Sequence, residues 1–243
     1  MQFPTACFFT VCGGGEDYEF LLGSIEHHAR MGTQVVLDTT PPERARRFRK
    51  LPTTVIWLHA PAYGSGWKEF RYRAALKDAM DAACSTGAEV IVHLDSDEFF
   101  STGTPEALFP LARGAMIEVE TYHWMPDGTV RSFGDSEFHR RLWPSHMSPT
   151  WPINSAWVQS PNYNGNPDHH AVPLPPQGSS VVRVDGPFHH HVHYAVGLKS
   201  QNDETARTTI NGWPDGRLIP STPWPDRLRR WKESGVKPSE SFA

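Results

Sequence analysis

The stretch that most constrains this chain runs Val90-Ile91-Val92-His93-Leu94-Asp95-Ser96-Asp97-Glu98-Phe99-Phe100. An apolar run rich in β-branched residues reads as a buried strand rather than a helix. Here it leads straight into three carboxylates. In an open α/β sheet, ligands bind outside the carboxyl ends of the strands. Asp95 and Asp97 are two residues apart and share a face if the strand continues. A bend at Ser96 would let them converge on one cation instead. Mg²⁺ and Mn²⁺ suit carboxylate ligands completed by phosphate oxygens and water. The expectation is a metal-diphosphate site at the tip of this strand.

The preceding residues supply the scaffold for such a strand. Ala6 to Val11 reads as a first buried strand, followed by Cys12-Gly13-Gly14-Gly15, a turn where backbone can approach a ligand. The spacing is not GxGxxG, so a dinucleotide fingerprint is absent. Glu19 to Met31 carries Leu21, Leu22, Ile25 and Ala29 at helical spacing, with Gly32 as the stop. Gln34 to Leu37 is a second strand ending at Asp38, and Pro41 to Lys50 reads as a short basic helix opened by proline. Val55 to Leu58 is a third strand, Trp67 to Thr86 the longest helix, and Glu89 to Leu94 the fourth strand. Strands alternating with helices over the first 100 residues predict a parallel, doubly wound sheet there.

After Phe100 the pattern changes. A short helix at Pro105 to Leu111 precedes a strand from Ala115 to Trp124, and Pro126-Asp127-Gly128 predicts a hairpin to Thr129 to Phe133. Residues 145–178 are dense in Pro, Asn, Trp and His, the composition of binding loops over a scaffold. Val181 to Val184 and Phe188 to Tyr194 read as strands, and Asp203 to Ile210 and Pro225 to Ser234 as short helices. With 243 residues and no clear linker, a single domain is expected, with a nucleotide-type half to residue 100 and an acceptor-type half beyond it.

Composition narrows the function classes. The net charge of -4 gives no global basic field for nucleic acid. Three cysteines, Cys7, Cys12 and Cys84, form no CxxC pair and fit buried thiols in a reducing compartment. No signal peptide is evident and no apolar run approaches the ~18 residues of a membrane span, so a cytoplasmic protein is expected. No obligate protein partner is evident.

The run His93-Leu94-Asp95-Ser96-Asp97-Glu98-Phe99-Phe100 resembles the strand-end signature of GT-A glycosyltransferases related to family 2. The upstream stretch Gly66-Trp67-Lys68-Glu69-Phe70-Arg71-Tyr72-Arg73-Ala74-Ala75-Leu76 resembles the helix that carries an Arg-Asn pair in that family. Arg73 matches the arginine, and Ala74 stands where the family has Asn. Asp38 matches the acid that contacts the nucleotide base or ribose. The resemblance covers about residues 6–100. It implies a Rossmann-like open mixed sheet flanked by helices, with a loop-rich C-terminal acceptor region. It also implies a nucleotide-sugar donor contacted by Asp38, Arg73 and Asp95, a divalent cation (Mn²⁺ or Mg²⁺) held by Asp95 and Asp97, and inversion at the anomeric carbon.

Phe188-His189-His190-His191-Val192-His193-Tyr194 is the second strong feature. On a strand His189, His191 and His193 share one face and His190 the other. In related transferases a histidine of a late strand completes the metal shell, and His191 or His193 is the candidate. Against this stand a half-buried strand with solvated imidazoles and a separate zinc site. An inverting displacement needs a base. Asp168 or His169, in Asn166-Pro167-Asp168-His169-His170, is that candidate, with Glu137 as rival; the family carries His-Glu where this chain has His-His.

Arg44, Arg46, Arg47, Arg49 and Lys50 form a basic run that reads as a solvated face. With Lys68, Arg71 and Arg73 it could instead line a polyanion track. The acceptor is a saccharide or a protein, with a modified DNA base, such as a hydroxymethylated one, as the alternative. A metal-dependent nucleotidyltransferase could use the same acids, and a non-enzymatic metal- or sugar-binding module is the third reading.

Overall fold

The computed structural model describes residues 4–14, 16–64, 71–125, 129–132, 138–152, 172–192, 217–218 and 224–242. The first half follows the alternation expected of it. Strand β1 (Ala6–Cys12) is buried along its whole length, as its apolar composition demands. Helix α1 (Glu16–Ala29) leads to β2 (Thr33–Asp38), and β3 (Val55–His59) follows after an irregular segment. Helix α2 (Tyr72–Cys84) presents Ala75, Leu76, Ala79, Met80 and Ala83 inward, a spacing of three and four. It returns the chain to β4 (Val90–His93).

These four strands are parallel, in the order β3-β2-β1-β4. Their alternating side chains feed two cores. Cys7, Phe9, Val11 and Ile91 pack against α2 on one face, while Ala6, Phe8, Val90 and Val92 face the opposite layer. That opposite layer includes two single-turn helices, α3 (Thr104–Ala107) and α4 (Phe109–Ala112).

Beyond β4 the sheet becomes mixed. Strand β5 (Glu98–Phe100) is short and fully buried. Strands β6 (Met116–Trp124), β7 (Val130–Ser132) and β8 (Phe138–Pro144) are joined antiparallel, and β8 lies antiparallel against β4. Strand β9 (Val181–His191) runs parallel to β6 and antiparallel to β5, and β10 (Arg217–Leu218) edges β7. The path β4-β8-β6-β9-β5 therefore curls back to the residues that follow β4. Helix α5 (Asp226–Ser234) packs on α1, where Gly23 leaves room for Leu228: a Cβ there would lie 2.2 Å from Leu228 Cδ2.

The sheet is mixed, as the family resemblance implies: β1 to β4 are parallel, as expected of the first half, and everything added beyond β4 except the β6–β9 pairing is antiparallel. Two expectations are corrected, and one strand is added to those expected. Pro41 to Lys50 forms one turn, with Ala45 N donating to Pro41 O, and then runs irregularly. Five like charges repel within a short helix, and the segment is instead pinned by Phe48 in the core beside Tyr18 and by the Arg49 amide on Phe242 O. The two late strands are one, β9, crossing Gly186 at φ +135°, a conformation side chains rarely adopt. Strand β8 was not expected, since His139-Arg140-Arg141 masked its apolar pattern. Among the described residues no helix is long and apolar enough to cross a membrane.

Candidate active site at the carboxyl ends of β1 and β4

The strand order reverses between β1 and β4, since the chain moves to β2 on one side of β1 and returns to β4 on the other. Such a switch point opens a crevice at the carboxyl ends of the two strands. From β1 it receives Gly13 and Gly14. Gly14 sits at φ +82°, and a Cβ there would lie 2.5 Å from Thr40 Oγ1, so the turn closes this tightly only with glycine. From β4 it receives Leu94, Asp95, Ser96 and Asp97. The chain turns at Ser96 and Asp97, and β5 begins at Glu98.

Asp95 is held on both oxygens. Tyr72, at the amino end of α2, donates its hydroxyl to Oδ1 at 2.6 Å, and Arg141 Nη2 donates to Oδ2 at 3.0 Å. The Asp95 amide donates to Glu98 Oε2 at 2.8 Å, which closes the turn. Burial raises the Tyr72 hydroxyl well above its ordinary pKa, and the Asp95 charge adds to this, so Tyr72 remains a donor.

Arg141 is the centre of the buried charge. It projects from β8 into the curl, with its side chain only 6% exposed. Its guanidinium reaches Asp95, Glu98 Oε1 and, through Nη1, His93 Nδ1 at 3.0 Å. Burial disfavours the Glu98 carboxylate, yet Arg141 and then His189 outweigh burial and hold its pKa well below the usual range. His189 Nε2 stands 3.1 Å from Glu98 Oε2. Burial lowers both His93 and His189 to about 4, so each stays a neutral imidazole beside the cation.

The late histidine strand meets the acids directly. Register pairs Glu98 with His191, Phe99 with His190 and Phe100 with His189. His191 Nε2 lies 3.1 Å from Asp97 Oδ2, and the Val192 amide donates to the Asp97 carbonyl at 3.0 Å. Burial would lower the His191 pKa, but Asp97, Glu98 and Asp95 together raise it to about 9. His190 points to the other side, stacked on Phe99 at 4.8 Å between centroids. The alternation expected for this strand is therefore present at His189, His190 and His191.

Asp38 is 1% exposed, and its carboxylate accepts from Tyr18 Oη at 2.8 Å, Thr40 N at 3.0 Å and Trp57 Nε1 at 3.2 Å. It braces the ends of β2 and β3. Arg73 is exposed in the first turn of α2, one residue beyond Tyr72. Asp168, His169, His193 and Glu137 lie outside the described residues. Tyr72, Arg141 and His123 were not singled out by the sequence reading. The available signal for Arg141 was a charge on the face that β8 shares with fully buried Trp143, since residues two apart in a strand share a face.

Among the described residues no group of three or more His, Cys, Asp or Glu is gathered as a cation cage. The donor chemistry at the strand end nevertheless fits a hard cation with one imidazole. Two neighbouring ligands each about 2.1 Å from an octahedral cation stand about 3 Å apart, and Asp97 Oδ2 and His191 Nε2 are 3.1 Å apart. No family model and no curated protein matches the chain.

Proposed function

We propose that this chain is a metal-dependent glycosyltransferase that moves a sugar from a nucleotide-sugar donor to an acceptor hydroxyl, with inversion. One observation carries the reading. At the strand-order switch point, Asp97 and His191, from opposite halves of the chain, stand at the separation of two ligands of one cation, beside an Asp95 carboxylate oriented by Tyr72 and Arg141.

Asp97 and His191 would hold Mn²⁺ or Mg²⁺. Asp95 contributes through lone pairs that Tyr72 and Arg141 leave open, since each carboxylate oxygen accepts twice. When bound, the cation offsets the charge that grows on the departing nucleoside diphosphate. The chain's own part is positional. Arg141 and Tyr72 fix Asp95, and the Gly13-Gly14 turn lets backbone approach the diphosphate. Arg73, in the first turn of α2, would contact the nucleotide, as the family resemblance implies. Asp168 or His169 is the proposed base for the acceptor hydroxyl. The acceptor class is a saccharide or a protein, with a modified DNA base as the alternative.

The test is release of nucleoside diphosphate from a panel of nucleotide sugars with Mn²⁺. Release should occur with at least one donor and stop on adding EDTA. It should also be lost in Asp97→Ala without loss of the folded state. Full turnover in Asp97→Ala, or no release from any donor, overturns the reading. Pyrophosphate release from a nucleoside triphosphate would favour the nucleotidyltransferase alternative instead.

A further inference from the structure

We infer that His123 is a positioning residue that sets the tautomer and ring angle of His191, so that His191 Nε2 is presented as a cation ligand. This rests on the cation site proposed above at Asp97 and His191. Strands β6 and β9 run parallel with His123 and His191 in register. Their rings meet nearly at right angles, interplanar 87° with centroids 5.1 Å apart, and the two Nδ1 atoms are 3.1 Å apart. Two ring nitrogens at that distance share one proton: one donates and the other accepts.

The direction of that bond follows from the other side of the His191 ring. Without a cation, Nε2 faces a carboxylate oxygen, which accepts, so Nε2 carries a proton toward Asp97. A cation would take the Nε2 lone pair. The remaining proton of neutral His191 must then sit on Nδ1, where His123 Nδ1 accepts it. A histidine ligand is ordinarily fixed in this way by a partner on its other nitrogen. His123 is 6% exposed, so water has little access to replace it.

Binding of Mn²⁺ alone to the full chain, followed by the paramagnetic resonance of free Mn²⁺, tests this. His123→Phe should weaken binding about 10- to 100-fold, the usual effect of losing such a partner. His123→Asn, whose side-chain oxygen can occupy the Nδ1 position, should keep most of the affinity. His123→Gln, which reaches the Nε2 position instead, should behave like the Phe variant. A residue that only fills space would not distinguish Asn from Gln. If His123→Phe does not fold, the Asn–Gln comparison decides. Equal affinity in wild type and all His123 variants, with Asp97→Asn abolishing binding, overturns the role of His123 and leaves the cation site standing. Absence of Mn²⁺ binding by the wild type overturns both.

Discussion

His191 Nε2 and Asp97 Oδ2 lie 3.1 Å apart although 94 positions separate them in the chain. The contact exists because β9 is inserted between β5 and β6, in register with both. The strand-end acids and the late histidines, two separate features of the sequence, thus become one site. Around it the charges are unequal in exposure. The Asp95 side chain is 38% exposed, whereas those of Arg141 and Glu98 are each 6% exposed. Solvent reaches Asp95, and the buried pair behind it holds its position.

Arg141 is therefore expected to matter first for folding. Replacing it by Met leaves Glu98 buried with its strongest partner gone. Breaking a buried pair in this way costs about 3–5 kcal/mol, or roughly 6–20 °C in melting temperature for a chain of this size. Arg141→Lys should recover only part of this, since an ammonium cannot fork between Asp95, Glu98 and His93. Urea unfolding of both variants checks the prediction. A loss below about 1 kcal/mol in Arg141→Met, the scale of an exposed pair, would show that the network is not stabilising.

Acid should unfold the protein through its buried histidines. His93 and His189 are lowered to about 4, His190 to about 3, and His28 well below its ordinary value, in each case chiefly by burial. A lowered folded-state pKa means that the unfolded chain binds more protons between that value and about 6.5. Stability is then fully present above about pH 6.5 and is lost as pH falls toward 4. Each such histidine adds a slope of about 1.4 kcal/mol per pH unit inside that window. Unfolding free energies measured from pH 7.5 to 4.5 should fall steeply with an uptake of more than one proton. A flat profile would contradict the burial of these rings.

Asp38 separates bracing from nucleotide contact. Its carboxylate receives Tyr18, Thr40 and Trp57 at 1% exposure. Asp38→Ala leaves those donors unpaired, at a cost of about 3 kcal/mol. The expected phenotype is lowered stability in the absence of any ligand, read by denaturant unfolding. Unchanged stability together with weakened nucleotide binding would favour the nucleotide contact that the family resemblance implies for Asp38.

Much of the first half was legible from local pattern. The buried strands β1, β2 and β4, the helix α2 and the strand end at Asp95 follow from runs and spacings within about fifteen residues, the range over which periodicity acts. The alternation of His189, His190 and His191 was legible for the same reason. Strand β8 was not, because Arg141 breaks its apolar pattern. The polarity of that residue makes sense only once Asp95 and Glu98 are seen across the curl.

The sequence by itself determined which segments bury themselves and which residue types stand at their ends, since burial and dihedral preference are local properties. Tertiary structure alone decided which ends meet. Whether His191 faces Asp97 or water, whether Asp38 points to a ligand or into the protein, and whether Arg141 lies on a surface or between two acids depend on pairing between distant strands. Strand register carries that information. It is set by the packing of the whole curled sheet, and no window of the chain contains it.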